Sequence, residues 1–337
     1  MIEGKKGIYL LFVLFMIVLF TGCGKEQNTE TDIEEDLQTV SEETAEISEN
    51  DDILEDSEIS DSTEVIDSLD FEELTDVEYL SDNKYTCSYD NIKHDFIVFL
   101  PEKTEDAPFV IMLHGYGESG EGFCGKVHFE EEACERGYAV IYVDGASNPN
   151  DATSSSGWNS GIASDGNDDV AFLSSLAVYL QKEYSFSKDK VYAVGFSNGA
   201  FMTHRIAMEA SSIFSGVVSV AGKMPESIWN SKNEKNDISF FQITGDKDDV
   251  VPKNSDGSAK HTKDPAIEDV MDYWAASNGL EHNEQTEIGK GSVLTKYSEA
   301  DKETRVWNLQ VKDGRHSWPE ESLCGFDMNS LILEFLN

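Results

Sequence analysis

From residue 94 onward the chain repeatedly sets down a short run that is apolar at nearly every position, then changes to helical spacing. The runs are "HDFIVFLP", "PFVIMLHG", "YAVIYVDG", "KVYAVGF", "FSGVVSVAG", "ISFFQITG" and "TRVWNLQV". A strand with one solvated face alternates polar and apolar residues, whereas these have no polar face and must be covered on both sides. Between or after them lie "HFEEEACERGY", "NDDVAFLSSLAVYLQKEY", "NGAFMTHRIAMEA", "AIEDVMDYWAASNG" and "DMNSLILEFL", whose apolar residues recur at helical intervals. Strands buried on both faces and alternating with helices predict an α/β fold, a mostly parallel sheet with helices on both faces.

The preceding residues cannot belong to that core. Lys5 and Lys6 are followed by an unbroken apolar run of 13 residues, Ile8 to Phe20, too short to span a bilayer and suited to a signal peptide. It ends in "FTGCGK", which resembles the lipobox of bacterial lipoproteins. Residues 1–22 are therefore read as a lipoprotein signal peptide, with Cys23 as the lipidated first residue of the mature chain. Residues 25–82 carry 24 Asp and Glu against one Lys, a net charge of −23, with neither Gly nor Pro. So little apolar surface cannot offset the entropy of ordering, so 23–82 is expected to be a disordered acidic spacer, though "LDFEELTDVEYL" at its end is compatible with a short helix. The expected location is the outer face of a bacterial membrane, held by the lipid anchor, with free secretion as the alternative.

Residues 83–337 form the expected catalytic domain, large enough for one sizeable core. This part still carries 41 acidic against 22 basic residues, a net charge of −19, which disfavours nucleic acid as a partner. Cys87, Cys124, Cys134 and Cys324 show neither CxxC nor zinc spacing, and their pairing is open. No histidine pairs with carboxylates at metal-ligand spacing, so neither metal nor cofactor is expected.

The chemistry-bearing stretch is "KVYAVGFSNGAFMTHRIA" (residues 190–207), where Gly-Phe-Ser-Asn-Gly sits between a strand and a helix. A lone match to Gly-x-Ser-x-Gly is weak, but this setting is the one a nucleophile elbow requires. Gly195 and Gly199 remove side chains that would collide around Ser197, and the helix beginning at Asn198 turns its free N–H groups toward the serine. A serine hydroxyl reacts only when a histidine takes its proton and a carboxylate orients that histidine. "ITGDKDDVVP" follows a later strand and offers Asp246, Asp248 and Asp249 for the acid, which spacing alone does not separate. "KDGRHSWPEE" follows the strand "TRVWNLQV" and offers His316 as the base. The early "LHGYGESGEGF" supplies a Gly-rich loop, and the backbone N–H groups of Tyr116 and Asn198 are the expected oxyanion donors. His114 in that loop is read as a prop and not as a base.

Seven blocks in order, "LHGYGESGEGF", "GWNSG", "NDDVAFL", "VYAVGFSNGAFMTHRIA", "VVSVAG", "TGDKDDVVP" and "GRHSWPE", resemble the exported esterase family of polyhydroxybutyrate depolymerases and feruloyl esterases, the carbohydrate esterase family one type. The resemblance implies an α/β-hydrolase fold, aligns the acid on Asp248, and matches Ser197 as nucleophile and His316 as base. It places Trp158 and Trp318 near the cleft as substrate contacts, although rings of this size equally fill cores. Asp168 and Asp169 are read as capping or loop-fixing residues. "SGIASDG" and Leu280 stand where many relatives carry cysteines, so the family's disulfides do not transfer. The implied activity is hydrolysis of carboxylic esters, first feruloyl or acetyl esters of plant polysaccharides. Polyhydroxyalkanoate cleavage is the alternative, and a non-catalytic surface binding protein of the same fold is a third reading.

Overall fold

The computed structural model of the protein describes residues 72–146, 156–162, 166–232, 237–255 and 261–337. The leader, Cys23 and the acidic spacer up to residue 71 lie outside the described residues, and so do the expectations placed on them.

Among the described residues the strands form one sheet of 11, ordered β1-β2-β3-β5-β4-β6-β7-β8-β11-β10-β9. Its centre is parallel: β5 (Ala139–Val143), β4 (Phe109–Leu113), β6 (Val191–Phe196), β7 (Gly216–Val220), β8 (Ser239–Gly245) and β11 (Val306–Val311) all run the same way. Antiparallel ribbons flank it, β1 (Thr75–Ser81), β2 (Lys84–Tyr89) and β3 (Ile92–Phe99) on one edge, β10 (Ser292–Ser298) and β9 (His282–Ile288) on the other. The expected α/β hydrolase architecture is thus present.

The central strands earn their uniform apolarity by feeding two cores. In β4, Phe109, Ile111 and Leu113 join one buried cluster, while Val110 and Met112 join the other. The same alternation in β5 sends Ile141 one way and Tyr142 the other, as the two-residue period of a strand requires. The first core is closed by α3 (Asp169–Tyr184), α4 (Asn198–Glu209) and α6 (Ile267–Ser277), through residues such as Leu176, Met202 and Trp274. The second is closed by α1 (Gly120–Val127), α2 (Phe129–Glu135) and α8 (Met328–Leu336), through Phe123, Phe129 and Leu333. Two shorter helices, α5 (Glu226–Asn230) and α7 (Glu321–Cys324), lie in connections.

The caps follow local chemistry. Asp168 opens α3 by accepting from the Ala171 N–H at 3.2 Å, and Asp327 opens α8 by accepting from the Ser330 N–H at 2.7 Å. Cys87, Cys124, Cys134 and Cys324 are all free thiols. No helix among the described residues is long and apolar enough to cross a membrane.

One expectation is corrected. The end of the acidic segment is not a helix: Thr75–Ser81 is an edge strand paired to β2. Backbone ladder bonds and the edge-to-face contact of Tyr79 with Tyr85, centroids 5.4 Å apart, hold a segment whose side chains are mostly exposed. An edge strand with polar faces carries no apolar rhythm for a sequence to reveal.

Candidate active site

Four parallel neighbours end on the same edge of the sheet, where an open α/β sheet gathers its loops. The register sets Leu113 beside Gly195, so the loop after β4 and the turn after β6 emerge together. Val311 pairs with Gly245, which brings the loops after β8 and β11 side by side.

The turn after β6 is strained. Ser197 sits at φ 51° and ψ −116°, a region L-residues avoid, between the end of β6 and the first residue of α4. Its N–H donates to the Val220 carbonyl at 2.9 Å and its own carbonyl starts α4 by accepting from Phe201. The flanking glycines allow the close approach: a Cβ on Gly195 would collide with the Gly199 carbonyl, and one on Gly199 with the Leu113 carbonyl.

The serine hydroxyl lies 2.9 Å from His316 Nε2, and His316 Nδ1 lies 2.9 Å from Asp248 Oδ2. Asp248 is fully buried as a side chain, and its Oδ1 accepts from the Val250 and Val251 N–H groups at 2.9 and 2.8 Å. Those two bonds fix the carboxylate so that Oδ2 faces the imidazole. Asp246 and Asp249, the other candidates in that loop, are exposed. A carboxylate bonded to Nδ1 makes that nitrogen the donor and leaves Nε2 as the acceptor of the serine proton.

The loop after β4 is braced from three sides. His114 is buried, and its Nε2 accepts from the Gly145 N–H at 2.9 Å, so its Nδ1 carries the hydrogen and donates to the Gly115 carbonyl at 2.7 Å. Burial holds this imidazole below the usual histidine range, which keeps it neutral, as a prop would be. Gly115 N–H donates to Glu118 Oε2 at 3.2 Å, and Gly117 N–H to the Ser156 carbonyl at 2.7 Å.

Ser197 opens into a cavity of about 370 Å³ whose walls also include Tyr116, Trp158, Asn198 and Asp169. Tyr116 and Asn198, the expected oxyanion donors, thus flank the same space as the serine. The Asn198 side chain clamps the opposite wall: its Oδ1 accepts from the Trp158 N–H at 2.7 Å and its Nδ2 donates to the Trp158 carbonyl at 3.1 Å. Trp158 reaches the cavity but is almost wholly buried, its indole donating to the His114 carbonyl at 3.0 Å. Trp318 does not reach it. Its ring packs edge-to-face on Phe123 at 5.6 Å and its Nε1 donates to Asn329, so the expected substrate contact is a core residue behind the histidine loop.

Asp168 caps α3 as expected, and Asp169 fixes a loop by accepting from the Asn159 N–H at 2.6 Å. Burial pushes the Asp169 carboxyl up to about 6. Three wall residues were not singled out from the sequence. Phe201 stands one helical turn after Ser197, so its position was derivable from spacing; Val250 follows the acid. His261 lies on a loop with no motif, tacked down by buried Lys223, whose Nζ donates to the carbonyls of Asn254 at 3.2 Å and His261 at 3.1 Å. The ligand atoms of His128, Glu130 and Glu131 lie within 4.8 Å of one another, but none of these residues lines the cavity.

The chain is 26% identical to "Putative esterase NocK" of Nocardia uniformis subsp. tsuyamanensis over 65% of its length and 67% of that protein's. It is 23% identical to the bifunctional acetylxylan esterase/xylanase XynS20E of Neocallimastix patriciarum over 47% of the chain, spanning 22% of that protein. The acetyl xylan esterase structure from Aspergillus awamori shares the fold, with a TM-score of 0.52 at 14% identity over 77% of this chain and 98% of that one. Residues 94–285 match the model of the phospholipase/carboxylesterase family, an α/β-hydrolase family. The chain belongs to this family of carboxylic ester hydrolases.

Proposed function

We propose that Ser197, His316 and Asp248 are a catalytic triad that hydrolyses feruloyl or acetyl esters of plant polysaccharides. The carrying observation is the unbroken chain from the serine hydroxyl through His316 to the buried Asp248, opening into a cavity. His316 Nε2 takes the proton as Ser197 Oγ bonds to the ester carbonyl carbon. The carbonyl oxygen becomes an oxyanion, held by the N–H groups of Tyr116 and Asn198. Collapse breaks the bond to the alkoxy oxygen, which leaves as the alcohol with the proton from His316. Water then attacks the acyl-serine, His316 taking its proton, and the carboxylic acid departs as Ser197 is restored. Asp248 holds the imidazole in the required tautomer and stabilises its cation.

The substrate class is supported by the relatives named as acetylxylan and feruloyl esterases, and by the apolar rim that Tyr116, Ile162 and Val250 offer to a ligand. Export and anchoring through Cys23 suit a polymer that cannot enter a cell; lipid found on Cys23 by mass spectrometry would bear on this directly. The deciding assay is release of acid from methyl ferulate, acetylated xylan and a hydroxybutyrate oligomer, each beside Ser197→Ala. Serine-dependent release from the first two is expected. Release from the oligomer alone would make the protein a polyester depolymerase, and a full rate in Ser197→Ala would remove the mechanism.

A further inference from the structure

Asp169 presents an unmet demand inside the cavity that holds Ser197. The residue is 1% exposed. Its Oδ2 is engaged by the Asn159 N–H at 2.6 Å, but its Oδ1 has no hydrogen-bond partner among the described residues. A buried carboxylate oxygen without a donor is costly, and folds rarely leave one unexplained. The bonds of its neighbours are directed elsewhere. Asn159 Nδ2 is taken by the Asn167 carbonyl, and Arg205 is committed through Nη1 to the Asn159 carbonyl and through Nε to Glu209. Burial raises the carboxyl only to about 6, so at neutral pH it is mainly ionised and purely an acceptor.

We propose that Asp169 Oδ1 accepts a hydrogen bond from a hydroxyl of the substrate, making it a specificity-determining residue for esters carried on a hydroxyl-rich alcohol such as a sugar. The inference rests on the esterase reading above and refines it. The cavity is two-faced in the way a sugar ring is: Asn159, Ser160 and Asp169 offer polar groups, while Tyr116, Ile162 and Val250 offer exposed apolar surface. Ring hydroxyls suit the first wall and the C–H face suits the second. The carboxylate is held by one backbone N–H at the start of a 16-residue helix, so its position is set before any ligand arrives.

The test uses two acetates of a methyl xyloside, one with a free hydroxyl beside the ester and one with that hydroxyl replaced by hydrogen, on wild type and Asp169→Asn. The wild type is expected to favour the hydroxyl-bearing acetate by about 10- to 100-fold in kcat/KM, the range for a hydrogen bond to a charged group. Asp169→Asn, which places a donor or a weaker neutral acceptor there, should raise KM for that acetate and bring the ratio between the two esters toward one. A purely structural Asp169 would lower kcat for both esters alike and leave their ratio unchanged, overturning the inference. If Asp169→Asn fails to fold, the wild-type ratio decides alone: equal rates on the two acetates overturn the proposal. Labelling of Ser197 by a fluorophosphonate separates the two levels. A labelled serine with no discrimination refutes only the role of Asp169, whereas no labelling and no hydrolysis refute the esterase reading itself.

Discussion

A hydroxyl group becomes a nucleophile only if its proton has somewhere to go, and at Ser197 the route is two hydrogen bonds of 2.9 Å ending on a buried carboxylate. Removing the hydroxyl in Ser197→Ala should cut kcat by at least about 10⁴-fold. Thermal unfolding of the variant should stay near wild type, because the strained backbone at φ 51° is held by its backbone bonds to Val220 and Phe201 and not by the side chain. The acid gives a sharper contrast. Asp248→Asn should lower kcat by about 10⁴-fold by stabilising the wrong histidine tautomer. Asp246→Asn and Asp249→Asn, both at exposed positions, should change it by less than about 2-fold, since surface substitutions rarely matter. A large loss in Asp249→Asn measured beside a small one in Asp248→Asn would reassign the acid. The serine and the histidine were legible because each follows a strand in a fixed chain order. The three aspartates were not separable by spacing, since adjacent turn residues differ only in which way the backbone aims them. The family resemblance chose Asp248, and the geometry places the same residue against His316. Trp318 failed as a substrate contact for a related reason: standing two residues from the histidine fixes its place along the chain but not the face it presents.

At the scale of elements, the site depends on close approaches between backbone segments. Gly199→Ala would push a methyl into the Leu113 carbonyl, at the seam where α4 crosses the end of β4. Such overpacking costs about 1–3 kcal/mol or more, and a denaturant titration should show it as a lowered midpoint with unchanged slope. Lys223→Met tests a different device, the buried ammonium that ties the loop around His261. Its loss should cost about 2 kcal/mol and raise KM more than it lowers kcat, because the triad stands on other strands. Equal effects on both constants would mean that the loop supports the chemistry itself. The central strands and the helices between them were legible because burial on both faces writes an unbroken apolar run. The edge ribbons were not. β1 and β9 read TDVEYLS and HNEQTEI, with almost every side chain in solvent, and what holds them is backbone pairing that composition does not encode. A fragment starting at residue 83 would uncover the outer edge of β2 and should self-associate, as bare strand edges do. One starting at residue 72 should remain monomeric in size-exclusion chromatography.

The molecule as a whole has an uneven response to acid, because its buried titratable groups pull in opposite directions. His204 is fully buried and held near 3, and burial also lowers His94 and His114. Each stays neutral in the fold while the unfolded chain takes up a proton below about 6.5, so stability falls as the pH drops through that value. For His204 the slope approaches about 1.4 kcal/mol per pH unit between the ordinary histidine value and its folded value, and His94 and His114 add to it with the same sign. Asp169 acts the other way. Its folded value of about 6 lies above the ordinary aspartate value, so between those limits the native state holds a proton the unfolded chain has lost. Its contribution is therefore largest at low pH and is lost as the pH rises through about 6. Asp144, also raised by burial, has the same sign. Stability should thus fall as the pH drops below about 6.5, with the raised carboxyls of Asp169 and Asp144 offsetting part of the loss that the histidines cause. Equilibrium urea unfolding at half-unit steps from pH 7.5 to 4.5 would trace this curve, and His204→Gln should remove about 1.4 kcal/mol per pH unit from its slope whatever it does to absolute stability. A slope unchanged by that substitution would mean that His204 is protonated in the native state, with Ser219 Oγ, 3.2 Å from its Nε2, accepting from the cation.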